Sequence, residues 1–144
     1  MKATLRHIGV VSSNIEKSID FYVKYFNFKV FNDQIETGNF ISKILGMPKC
    51  KVRTVKLNNG NFLLELLDFG VKNSDCDIQL NTLGCTHIAL TVNCLEKLYE
   101  DLKVIGVHFI SPPSISDNKK ALVCFMKDPY NNFFLELVET IENK

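Results

Sequence analysis

His7-Ile8-Gly9-Val10-Val11, followed by Ile15-Glu16-Lys17, returns as His87-Ile88-Ala89-Leu90-Thr91, followed by Leu95-Glu96-Lys97, every pair of positions 80 apart without a gap. A second pair of stretches matches at an offset of 71: Asn61-Phe62-Leu63-Leu64-Glu65-Leu66-Leu67 against Asn132-Phe133-Phe134-Leu135-Glu136-Leu137-Val138. Self-similarity on this scale marks two copies of one supersecondary unit and decides how every other segment is read. The second copy is nine residues shorter, 80 less 71, and the loss falls between the matched ends, where connections tolerate deletion.

Each copy opens on a run rich in apolar and β-branched residues, 5–11 and 86–92, which predicts a strand. Ser13 or Asn14 can cap the helix that follows, in which Ile15, Ile19, Tyr22 and Phe26 recur at helical spacing. The aromatics Phe21, Tyr22, Tyr25, Phe26 and Phe28 fit a helix face packed on a sheet. Residues 28–31, 52–57 and 62–67 read as three more strands, the last two joined through Asn58-Asn59-Gly60. In the second copy 95–105 is the helix, Gly106 its stop, and 121–126 with 133–138 a hairpin across Asp128-Pro129-Tyr130-Asn131. The expected fold is therefore α+β: two βαβββ modules, about residues 4–69 and 84–140, joined by a polar linker at 70–83. Together they are expected to form a single domain over 1–144, an eight-stranded, half-open curved sheet with a helix on the outer face of each module. Residues 38–50 are open to two readings, a loop or a short extra helix.

The bulk composition agrees with one domain that has a core, at 144 residues, 46% hydrophobic and 23% charged. Seventeen Lys and Arg face sixteen Asp and Glu, scattered rather than blocked, which gives no reason to expect nucleic acid or an anionic membrane as partner. No apolar run approaches the ~20 residues that cross a bilayer, and the start of the chain lacks a signal-peptide core, so a cytoplasmic location is expected. Cys50, Cys76, Cys85, Cys94 and Cys124 show neither CxxC nor zinc-finger spacing and read as reduced thiols.

Glu65 and Glu136 each interrupt an apolar strand, where a carboxylate facing the core costs several kcal/mol unless it is paired or bound to metal. One such residue is commonly a gatekeeping charge on an exposed face, and one strand histidine is commonly a hydrogen-bonded core residue. Here His7 and His87 form a second repeat-equivalent pair, so each copy supplies one imidazole and one carboxylate. Four such groups about a pseudo-twofold axis make a mixed nitrogen and oxygen site for one divalent metal, Ni, Co, Zn, Mn or Fe. His108 falls opposite Phe28 at the offset of 80 and reads as a surface or structural residue.

The His-Ile start of each module, Leu64-Glu65-Leu66-Leu67 ending the first, and Lys127-Asp128-Pro129-Tyr130-Asn131-Asn132-Phe133-Phe134-Leu135-Glu136-Leu137 ending the second resemble the vicinal oxygen chelate superfamily. That superfamily includes glyoxalase I, methylmalonyl-CoA epimerase, extradiol dioxygenases and bleomycin-binding proteins, and the likeness is strongest to the first two. It implies one divalent metal held by His7, Glu65, His87 and Glu136, a small-molecule substrate and a homodimer. It also implies a lyase or isomerase of lactoylglutathione lyase type, in which Glu136 or Glu65 moves a proton by way of a metal-bound enediolate of a 2-oxo or 2-hydroxy acyl compound. The alternatives on the same fold are an epimerase-like isomerase and a non-catalytic binding or resistance protein. Val10-Val11-Ser12 stands where the glutathione-using branch has an Arg, and residues 51–62 lack the extra carboxylate of the epimerase branch.

Overall fold

The first helix shows how local chemistry sets a boundary. Asn14, in an extended conformation, accepts the Lys17 N–H at 3.2 Å and so starts helix α1 (Ile15–Phe26). Asn27 ends it in the left-handed region at φ 54°. Ile15, Phe21, Tyr22 and Phe26 line its buried face, and buried Ser18 meets buried Ser12 through their hydroxyls at 2.8 Å. This is a computed structural model; it describes residues 3–70 and 77–141.

The chain divides into two compact units, Met1–Asp75 and Cys76–Lys144. In the first, β1 (Ile8–Val11) and α1 are followed by β2 (Lys29–Thr37), helix α2 (Asn39–Leu45), β3 (Lys51–Asn58) and β4 (Leu63–Asp68). The second runs β5 (His87–Thr91), α3 (Leu95–Val104), β6 (Ser114–Ile115), β7 (Ala121–Lys127) and β8 (Phe134–Thr140). Each unit holds one four-stranded mixed sheet, ordered β1-β4-β3-β2 and β5-β8-β7-β6. The first and last strands of a unit pair in parallel and the other pairs are antiparallel. Among the described residues two βαβββ modules with eight strands are thus present, as the repeat implies.

Several boundaries differ from the sequence reading. β1 begins at Ile8, so His7 lies just ahead of the strand. β2 continues to Thr37 instead of stopping at residue 31, because its backbone pairs with β3 as far as Thr37↔Lys51. As an edge strand it can carry the polar Asn32, Asp33, Gln34 and Glu36. Residues 38–50 contain the short helix, and Ile41 from it packs with Cys50, Val52, Leu67 and Phe69. Of the expected linker, residues 71–76 lie outside the described residues, as does Cys76. Cys50, Cys85, Cys94 and Cys124 are free thiols.

The two turns follow their side-chain chemistry. Asn58 Oδ1 accepts the Gly60 N–H at 2.7 Å and Asn59 Oδ1 accepts those of Asn61 and Phe62, with Gly60 at φ +93°, a conformation suited to glycine. In the second hairpin buried Asp128 accepts the Tyr130 and Asn131 N–H groups at 2.8 and 2.9 Å.

Candidate metal centre

Strand pairing places the repeat-equivalent residues identically. In the first unit Gly9 on β1 is level with Glu65 on β4; in the second Ala89 on β5 is level with Glu136 on β8. Each histidine precedes that small residue by two positions and therefore projects on the same side as the carboxylate. Gly9 and Ala89 leave room beside each glutamate, and the imidazoles reach across: His7 Nε2 stands 3.1 Å from Glu65 Oε2 and His87 Nε2 stands 3.6 Å from Glu136 Oε2. Leu64, Leu66, Leu135 and Leu137, flanking the glutamates in sequence, are wholly buried on the opposite faces.

The two pairs differ in what surrounds them. Glu65 lies directly across from Lys56 on β3, and Lys56 Nζ is 3.4 Å from Glu65 Oε1. Glu136 lies across from Phe125 on β7, whose ring packs edge-on against His87 with centroids 5.4 Å apart. His87 Nδ1 is 3.3 Å from the Thr86 hydroxyl, whereas His7 Nδ1 is buried with no hydrogen-bond partner among the described residues. In the first unit the carboxylate is held from both sides; in the second the imidazole is. Lys56 and Phe125 escaped the sequence reading. Only the pairing of β3 with β4 and of β7 with β8 reveals them, since a lysine in an alternating strand looks like a solvated face.

The donor sets suit a divalent ion. Nitrogen and oxygen ligands each about 2.1 Å from a metal, at angles near the tetrahedral or octahedral values, stand roughly 3 to 3.5 Å apart, close to the separations of both pairs. The second His87 nitrogen has the kind of outer partner that fixes a ligand imidazole; that of His7 has none. The structure brings His7 together with Glu65 and His87 with Glu136, and no group of three or more His, Cys, Asp or Glu side chains is gathered for a metal among the described residues. His108 stands outside both pairs; its carbonyl accepts the Lys127 N–H at 2.9 Å.

A protein of two βαβββ modules, each carrying one imidazole and carboxylate pair at the same register, has the architecture of the glyoxalases and their relatives. The chain belongs to the glyoxalase/bleomycin resistance protein/dioxygenase superfamily, whose family model matches residues 4–135. It is 28% identical over 149 aligned positions to a lactoylglutathione lyase of Schizosaccharomyces pombe, covering 97% of this chain and 48% of that protein, so the chain spans about half the length of this relative. Among solved structures, a glyoxalase family protein from Bacillus cereus matches at TM-score 0.86 with 14% identity, covering 99% of this chain and 97% of that one. Glyoxalase I from Zea mays matches at TM-score 0.65 with 19% identity, covering 96% of this chain and 46% of that one. At these identities the structural matches speak for the fold. No helix among the described residues is long and apolar enough to cross a membrane.

Proposed function

We propose that the chain is a divalent-metal-dependent lyase or isomerase of glyoxalase type acting on a small 2-oxo or 2-hydroxy acyl compound, with His7, Glu65, His87 and Glu136 as metal ligands. The observation that carries this reading is the pairing of each imidazole with a carboxylate, at 3.1 and 3.6 Å, in the same register of both modules. The lactoylglutathione lyase relative supports the reaction type. A bound divalent ion supplies Lewis acidity towards vicinal oxygens of the substrate.

The chain's own contribution is proton transfer. Glu136 is the base in this proposal: it touches His87 through one oxygen, and no Lys or Arg pairs with it among the described residues, so its carboxylate can swing and return with a proton. Glu65, held by His7 and Lys56, serves as a ligand. A base of this kind contributes ~10²–10⁴-fold to the rate. Val10-Val11-Ser12 leaves no cation just after His7 to hold a glutathione carboxylate, so the preferred substrate is expected to be bound there through other contacts.

The test is elemental analysis of protein purified without chelators, followed by turnover of the hemithioacetal of methylglyoxal and glutathione, then of acyl-CoA thioesters. About one divalent ion per four-ligand set, lost in His7→Ala and in His87→Ala, is expected. Full metal content in either variant sinks the ligand assignment, and metal-loaded protein inactive on every such substrate sinks the enzyme reading in favour of a binding protein.

A further inference from the structure

We infer that Lys56 is a positioning residue that reserves one oxygen of Glu65, so that the first module's carboxylate serves as a one-oxygen ligand, held in place at the expense of metal affinity. The inference rests on the metal reading proposed above and concerns what that reading leaves unexplained, namely why equivalent glutamates have unlike neighbours.

Glu65 sits between two strands that each deliver a nitrogen. From the β1 side His7 Nε2 addresses Oε2 at 3.1 Å, and from the β3 side Lys56 Nζ addresses Oε1 at 3.4 Å. The side chains of Glu65 and Lys56 are only 13% and 21% exposed, so their attraction is less screened than that of a surface pair. Lys56 occupies the directly paired position, Lys56↔Glu65, and its place opposite Glu136 is taken by uncharged Phe125. An ammonium is a compact point charge with three donors and cannot itself be a metal ligand while protonated. An ion drawn to Oε2 and the imidazole therefore shares Glu65 with a cation already on Oε1. Two effects follow. The second oxygen is unavailable for bidentate ligation, and the like charges of ion and ammonium oppose each other across one carboxylate. Fixing the carboxylate works the other way, since an ordered ligand loses less rotamer freedom on binding. Repulsion from a doubly charged ion at a half-buried site is the larger effect, and it sets the sign of the prediction.

The experiment is a cobalt(II) titration of the full chain against a chromophoric chelator, read with the visible spectrum of the bound ion. Wild type is compared with Lys56→Met, Lys56→Gln and Lys56→Arg. Lys56→Met and Lys56→Gln should bind cobalt at least tenfold more tightly, and the visible absorption should weaken as Glu65 takes up the ion with both oxygens and the coordination number rises. Lys56→Arg, keeping the cation, should stay within about threefold of wild type. A merely structural lysine predicts the opposite sign, because loosening the site weakens binding. Thermal unfolding shows which variants are folded, and either uncharged replacement suffices. Unchanged or weaker affinity in a folded uncharged variant overturns the role of Lys56 while leaving the ligand set standing. Failure of wild type and variants alike to take up cobalt overturns the metal reading, and this inference with it.

Discussion

Glu65 and Glu136 were legible as a pair because a carboxylate amid leucines must be explained, and two at the same repeat position need one explanation. Their difference was not legible. It depends on which residue a hairpin places across from each, and the two hairpins differ by two residues, Lys56 to Glu65 against Phe125 to Glu136. Replacing Glu136 with Gln keeps shape and a carbonyl ligand but removes the base. Turnover should fall by ~10² or more with most metal retained, while Glu65→Gln should lose less turnover. Steady-state rates on metal-quantified protein check this, and wild-type turnover by metal-loaded Glu136→Gln would reassign the base.

At the level of elements, the start and apolar face of the first helix were readable because its cap and apolar spacing are both local in sequence, whereas its stop at Asn27 carried no signal that was read. The cap of α3 was not readable, because it comes from a distant strand: Glu139 on β8 accepts the N–H groups of Cys94 and Leu95 at 3.2 and 2.7 Å, while Cys94 itself is in the left-handed region at φ 54°. Glu139→Ala should destabilise the protein by ~1 kcal/mol, in the range of a lost cap carboxylate, measured by urea unfolding. Arg53 on β3 ties α1 to β2, donating from Nη1 to Glu16 and from Nε and Nη2 to the two Asp33 oxygens at 2.9 and 2.7 Å. The guanidinium holds the Asp33 carboxyl below its ordinary range. Because the folded value is the lower one, this stabilisation is present above the usual aspartate range and disappears as the pH falls through the folded value. Arg53→Met should thus cost about 0.5–1 kcal/mol at neutral pH, discounted for exposure, and less in acid; an equal cost at both pH values would disconnect the pair from stability.

For the whole molecule, the repeat located the two imidazole and carboxylate pairs, and the structure shows where the copies diverged. Counterparts are offset by 80 at Gly9 and Ala89, by 69 at Lys56 and Phe125, and by 71 at the glutamates. Eleven residues are therefore missing ahead of β7, where α2 has no counterpart and β6 is reduced to two residues, and two are gained in the hairpin. Those lengths lie outside the matched stretches, so no motif could have given them. Exposed Phe31, Ile35, Phe40 and Ile44, on β2 and α2, are surface that a homodimer, expected from the family resemblance, would be suited to cover; light scattering showing a monomer at micromolar concentration would count against it. The parallel pairing within each module has a kinetic consequence. Ile8 meets Leu64 and His87 meets Phe134 only after the longest loop of the module closes, which carries the module's largest loop-closure entropy. Each imidazole therefore reaches its carboxylate only when the terminal strands of its module pair, and we predict that this pairing follows the rate-limiting step. Interactions absent from the rate-limiting ensemble leave refolding untouched and retard escape from the native basin. If the proposed ligand set takes up zinc, stopped-flow chevrons with and without it should share a folding limb and separate on the unfolding limb, the behaviour of a latch on finished modules rather than a seed for them.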